Sequence, residues 1–450
     1  MTASERGDIA SIRICLSCLI DISKIREGER NMKKVLILIL CFISFYTGSA
    51  IAGTTIALRG DGNVLFIDEE KEEVTGKVST GGVGGALGSI TPDGKTLYVS
   101  NSFLGHYSVS IIDVPNRTLI KNLPTGPKPK HGLVSPDGKF VGINHLNNEQ
   151  GKLVVAIIDT SNNTVKSSVR IDVKNLAHKG DMTAHNIWTR DSKYFITPNN
   201  ADNTVHIINA AEGKEAATLQ LDGNPHYFAI SPDNKELWVV VEGEEDATGK
   251  IQGCPKVNVF ETSKMLSAPS GTVPEGSFCM ILNPGEASEA HHGAFTIDGK
   301  YYYLLNRGPG PDFNGTSVNV FDVATKKQVA HLTTGGKGDG HPYMSPDGKY
   351  VVTTQYGGNV VTFIDAKKHE VIKEITVGQG KHVGFVTFTK DGKKAFAANR
   401  EDDAVYVIDM NKLEVKKKID TTEPDKKWKS QGQVLNGYHN IFEVTEKYFD

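Results

Sequence analysis

Short apolar runs and polar turns alternate along this chain with a regular beat. Turn signals recur at Pro92-Asp93-Gly94, Pro136-Asp137-Gly138, Asp191-Ser192, Pro232-Asp233-Asn234, Asp298-Gly299, Pro346-Asp347-Gly348 and Asp391-Gly392. Each is followed by an aromatic or β-branched run, such as Thr96-Leu97-Tyr98-Val99 or Tyr350-Val351-Val352. A polar turn comes next, then a second apolar run that ends on an acid or amide: Asp68, Asp113, Asp159, Asn209, Glu261, Asp322, Asp365 or Asp409. A third run such as Val371-Ile372-Lys373-Glu374-Ile375 completes the unit. Short β-rich runs bounded by turn chemistry predict antiparallel strands, and no helical periodicity competes with them. The repeat length of about 43–52 residues lies near that of propeller blades. The eight acidic or amide strand ends predict eight blades in a single closed all-β propeller. HNIFEVTEKYF (from His439) repeats the pattern of HNIWTRDSKYF (from His185). The expectation is that Tyr438 to Val444 supplies the innermost strand missing from the blade begun by Thr54 to Val78. Pairing the two termini closes the ring and leaves no open edge.

Residues 1–52 do not share this pattern. Met32-Lys33-Lys34, the apolar run Val35 to Phe45 and Ala50-Ile51-Ala52 read as the basic, hydrophobic and cleavage regions of a secretory signal peptide over 32–52. The run is shorter than the ~20 residues that span a bilayer. Residues 1–31 are expected to be an upstream stretch ahead of the true start, or an N-terminal extension, and 53–450 the propeller. The expectation is an exported protein, in the periplasm or another lumen beyond the cytoplasmic membrane, with no transmembrane anchor after cleavage.

The whole chain has 50 Lys and Arg against 53 Asp and Glu. Without residues 1–52 the balance is 43 against 48, which offers no basic footprint for nucleic acid. Cys15, Cys18 and Cys41 leave with the leader. Cys254 and Cys279 remain, and in an oxidising compartment they are expected to form a disulfide; the alternative is two separate buried thiols. No C-x-x-C-H occurs, so no haem is covalently bound by this chain.

The histidines follow the repeat. His131, His185, His292, His341 and His439 stand four residues ahead of the residue that opens the first turn, and His226 and His382 stand near the same place. At the leading ends of first strands they would ring the axial channel, where imidazole can bind a metal, meet a haem or relay protons. The competing reading is a hydrogen-bond post between strands, inherited with the repeat. No G-x-S-x-G, H-E-x-x-H or P-loop is present, and the glycine-rich stretch Gly335 to Gly340 reads as a connecting loop. The fifth blade carries inserts at 242–253 and 263–290. Loops of that length are usually functional or disordered. Glu286 and Glu289 lie in the second insert beside His291-His292, where a carboxylate can reach the rim of the ring or a partner; a solvated loop is the alternative.

The unit Ser-Pro-Asp-Gly-Lys-Tyr followed by Val-x-x-Ile-Asp resembles the bacterial propeller family with the YVTN repeat, and the related propellers of haem-d1 nitrite reductases. A Lys-rich secreted propeller with one disulfide-pinned insert and no haem of its own is also similar to the beta-subunit family of hydrazine synthase, from anaerobic ammonium oxidation. That resemblance implies seven blades as the alternative count. It also implies multihaem cytochrome c subunits as partners, which hold the c-type haems, and a propeller loop near a haem, here the segment with Glu286 and Glu289. The chain would then act within an oxidoreductase complex of nitrogen metabolism and not catalyse alone. The haem-d1 resemblance implies instead a stand-alone periplasmic propeller that binds haem d1 or a metal with its histidine ring.

Overall fold

The computed structural model describes residues 53–82, 87–102, 105, 107–242, 244–245, 251–252, 254–267, 278–310, 312–421 and 434–436. Among these residues every regular element is a β-strand, and the strands assemble into antiparallel sheets. Eight four-stranded units can be traced. The first pairs Thr54–Leu58, Asn63–Asp68 and Glu73–Ser79 with Val434–Asn436 from the far end of the chain. The second to eighth follow in chain order, from Leu87–Ile90 to Glu414–Asp420. The seventh and eighth share one ladder through Gln355 and Val383.

The two turns of most units have the chemistry that the repeat required. At the first turn a Ser or Thr hydroxyl donates to the Asp two residues on, as in Ser135–Asp137 (2.8 Å) and Thr389–Asp391 (2.7 Å). The next residue takes a left-handed φ, which favours Gly or Asn: Gly138, Asn234 and Gly392. At the second turn the acid at the strand end accepts backbone N–H groups ahead of it, as Asp365 does from Lys367 (2.9 Å) and Lys368 (2.8 Å). All eight of the acidic or amide positions close the third-written strand of their unit at its last residue, or in the first unit the second.

Middle strands are buried on both faces. Leu153 to Ile158 is a continuous apolar run, every member 1% exposed or less, because neighbouring units pack against both sides of the sheet. The outer strand Thr164–Asp172 alternates exposed and half-buried positions instead. Packing between units is close: a Cβ at Gly142 would meet the Phe195 ring at 2.3 Å.

First strands adjoin one another. Leu87–Ile90 lies beside Pro129–Val134, and Trp188 donates its indole N–H to Leu133 O at 2.7 Å. Pro225–Ile230, Ala290–Phe295, Asp339–Met344, Val383–Phe388 and Val434–Asn436 continue the series. One apolar cluster joins the seventh and eighth units to the first and second, with Phe363, Val405, Ile56 and Leu97 among its members. Arg59 of the first unit, 1% exposed, pairs with Asp61 at 3.0 Å and with Asp403 of the eighth unit, and donates to Thr421 O at 2.5 Å. Glu72 is paired with Lys394 (2.7 Å) and Lys416 across the same junction.

The strand expected at Tyr438 to Val444, and with it His439, lies outside the described residues. The segment that pairs with the first unit is Val434–Asn436, with Thr55 opposite Asn436. Residues 1–52 also lie outside them. The disulfide between Cys254 and Cys279 is present, with Cα atoms 5.6 Å apart. The second insert returns as Phe278–Cys279, the fourth strand of the fifth unit, opposite Lys256 and Val257. No helix among the described residues is long and apolar enough to cross a membrane.

Candidate functional site

Four first strands are interrupted where their histidines stand, while His185 and His382 lie just ahead of Ile187–Trp188 and Val383–Phe388. The ladder shifts register between Pro129 and Gly132, Pro225 and Tyr227, Ala290 and Gly293, and Asp339 and Pro342. His131, His226, the pair His291-His292 and His341 occupy those interruptions. A bulge re-aims a side chain out of the regular pleat. Here the bulges turn imidazoles from several units toward one another.

Five of the seven predicted ring histidines converge. The His131 and His185 ring centroids are 4.7 Å apart, His185 and His292 4.3 Å, and His292 and His341 4.1 Å. His226 sits 5.2 Å from His185. His382 stands beside Tyr356, whose ring lies 4.4 Å from it and 5.5 Å from His341. The structure adds His291, stacked on His292 at 3.9 Å and 4.7 Å from His226. Reading one histidine per repeat hid it, although the doublet His291-His292 is plain in the sequence.

Polar partners orient the rings. His226 Nδ1 lies 2.6 Å from Glu242 Oε1. His291 Nδ1 lies 3.0 Å from Gly340 O, and His341 Nδ1 2.6 Å from Gly384 O, so each donates its Nδ1–H to a carbonyl. His292 Nε2 and His185 Nε2 are 2.8 Å apart. The buried Nε2 of His226 has no hydrogen-bond partner among the described residues.

Cations surround the imidazoles. Lys130, next to His131, donates to Thr183 O at 3.1 Å, and burial lowers its pKa to about 8. Arg307 is ion-paired with Glu289 and lies over the rings of Phe313 (5.3 Å) and Tyr356 (5.6 Å). Burial lowers its pKa as well as that of Arg400. Burial keeps the histidines neutral: it depresses His131 and His341 to about 3, and His185, His291 and His292 well below the ordinary value. Burial would raise the Glu242 carboxyl, but His226, Arg307 and Lys130 outweigh it, so this carboxylate stays ionised at neutral pH. A buried group of neutral imidazoles with a carboxylate behind one of them is a donor set for a metal.

Glu286 and Glu289 are built into the frame. Glu286 accepts from Thr316 Oγ1 and Ser317 Oγ, both at 2.5 Å, and from Asn283 N at 2.9 Å. Glu289 reaches the imidazole cluster by way of Arg307. Lys130, Glu242, Arg307 and Tyr356 belong to the site but were not singled out from the sequence as members of it. Lys130 had one signal, its place beside a repeat histidine; the rest come from later strands and loops with no shared spacing.

Comparison with known proteins gives a consistent picture. The sequence profile of the Cytochrome D1 heme domain family matches residues 142–355, which contain His185, His226, His291, His292 and His341. The chain is 25% identical over 257 residues to hydrazine synthase subunit beta of Kuenenia stuttgartiensis, covering 53% of this chain and 55% of that protein. It thus spans about half the length of that relative. It is 21% identical over 381 residues to dihydro-heme d1 dehydrogenase of Pseudomonas aeruginosa, covering 82% of this chain and 69% of that protein. Among solved structures, dihydro-heme d1 dehydrogenase NirN in complex with DHE superposes with a TM-score of 0.64 at 18% identity, over 86% of this chain and 75% of that one. Kuenenia stuttgartiensis hydrazine synthase superposes with a TM-score of 0.53 at 21% identity, over 72% and 94%. Propeller-like architecture is what these structures share with the chain.

Proposed function

We propose that this chain is an exported, closed, eight-bladed propeller of the haem-d1 type, and that its imidazole cluster is the binding centre for an iron tetrapyrrole bearing carboxylates. One observation carries the reading: the segment matched by the Cytochrome D1 heme domain profile is the segment whose first strands, three of them bulged, bring five imidazoles together beside Lys130 and Arg307. The closed count is favoured by the Arg59–Asp403 pair and the apolar cluster that joins the eighth, first and second units.

The donor set fits such a group. Neutral imidazole is the form that ligates iron, and the buried Nε2 of His226 lacks a partner among the described residues. Lys130 and Arg400 offer positive charge to carboxylates, and Glu242 orients His226. When bound, the tetrapyrrole supplies redox chemistry at its iron. The chain's own residues bind it, orient it and keep water away. The test is a titration of the purified protein with ferric haem and with haem d1, followed by the Soret band. A saturable shift is expected, with weaker binding in Lys130→Met. No spectral change with either compound refutes the reading.

A second reading is favoured by the match to hydrazine synthase subunit beta. In it the chain is a propeller subunit docked on multihaem cytochrome c partners, with the segment around Glu286 and Glu289 at the contact. The ion pair of Glu289 with Arg307 would couple such a contact to the imidazole centre. Co-purification with multihaem cytochromes from the native source supports it; a monomer at native concentration counts against it.

A further inference from the structure

We propose that His185, His226, His291 and His292 form a metal site of their own, which holds one divalent late transition-metal ion directly, without a tetrapyrrole. It shares imidazoles with the reading above but not its ligand, and the two fail separately.

The geometry carries the proposal. One ligand nitrogen from each of the four imidazoles lies within 4.8 Å of the other three. Zinc–imidazole bonds of ~2.0–2.1 Å in a tetrahedron place the nitrogens roughly 3.3 Å apart, so small side-chain rotations complete the site. His185 and His292 already present Nε2 to Nε2 at 2.8 Å. Two nitrogens that close are held together either by a shared proton or by a common ion.

The surrounding groups set the tautomers that a metal needs. His291 donates Nδ1–H to Gly340 O, which leaves its Nε2 lone pair free to ligate. Glu242 holds Nδ1 of His226 in the same way, at 2.6 Å. Carboxylate or carbonyl behind a ligating histidine is the usual second layer of a metal centre. Glu242 also supplies negative charge beside a buried dication. His291 and His292 are 2% and 1% exposed, so water does not compete strongly for the nitrogens. His291 is stacked on His292 at 3.9 Å, so one short segment of chain brings two of the four imidazoles to the site together. An all-imidazole set selects zinc, copper, nickel or iron over magnesium and calcium.

The test uses the full exported chain, stripped with chelator and titrated with Co²⁺ followed by its visible absorption, then with Zn²⁺ in competition. The expected result is one ion per chain and the intense bands of tetrahedral cobalt. His291→Gln should remove those bands. Glu242→Gln, which keeps the shape of the side chain, should weaken affinity by about 10–100-fold. His178→Gln, on the surface loop after Thr164–Asp172, should bind like the parent. Because His291→Gln can perturb folding, the parent's melting temperature provides a second readout: it should rise with Zn²⁺ as mass action requires. Absence of stoichiometric binding overturns the proposal, as does binding that Glu242→Gln leaves unchanged or that His178→Gln abolishes. Haem binding without metal binding refutes this site and spares the tetrapyrrole reading; metal binding without haem binding does the reverse.

Discussion

Lowering the pH from 7 to 5.5 should destabilise the metal-free protein by an amount set by its buried histidines. Burial depresses His131, His341 and His382 to about 3 and His145 to about 4. In the unfolded chain each titrates near 6.5. Folding therefore excludes a proton that the unfolded state accepts. The stability these groups provide is complete above pH 6.5 and is lost as pH falls toward the folded values. Between pH 7 and 5.5 each costs about 1 kcal/mol, and the four together on the order of 5 kcal/mol. The result is insensitive to the folded values, because all four lie well below the window. His185, His291 and His292 push in the same direction. Carboxylates with depressed values, such as Asp233 at about 2, lose their contribution only at lower pH. Since a whole domain is stable by only about 5–15 kcal/mol, the effect is large. Urea unfolding followed by circular dichroism at both pH values measures it. A urea midpoint that does not move between pH 7 and 5.5 refutes neutral burial of these imidazoles.

Three further outcomes follow from the fold. Arg59→Met should cost about 3–5 kcal/mol, because it removes the buried cation that Asp403 and Thr421 O share at the junction of the first and eighth units; a change under 1 kcal/mol in thermal or urea melts would show that this pair does not hold the junction together. Reduction of the Cys254–Cys279 disulfide, which spans 25 residues, should lower stability by up to about 3 kcal/mol and expose two titratable thiols; two thiols that react before reduction would count against the bond. Truncation ahead of Val434 removes the partner of Thr55–Ala57 and should yield an aggregating product with an open strand edge; a soluble, cooperatively melting truncation would exclude the terminal pairing.

Much of the fold was legible because the repeat has local causes. The Ser/Thr-x-Asp turn and the acid at the strand end each make hydrogen bonds within a few residues, so their chemistry appears as spacing. All eight of the predicted acidic or amide positions do end strands. The terminal strand was harder. Likeness of HNIFEVT to HNIWTRD pointed to Tyr438 to Val444, which lies outside the described residues, and among the described residues Val434–Asn436 pairs with Thr55–Ala57. Register between strands far apart in the chain is set by tertiary packing, which no local motif reports.

The sequence by itself determined the strands, the turns and the place of a histidine in most of the units, and it marked Cys254 and Cys279 as a candidate pair, because strands and turns rest on chemistry between near neighbours. Only the tertiary structure decided which histidines meet. It brought five repeat histidines and His291 together, set Tyr356 between them and His382, and recruited Lys130, Glu242 and Arg307 from three different places in the chain. It also turned Glu286 inward to Thr316 and Ser317 and gave Glu289 to Arg307. For His131, His226, His291, His292 and His341 the physical reason is the bulge. A one-residue slip of the ladder changes the face to which a side chain points, and that slip is set by the neighbouring strand rather than by the residue that moves.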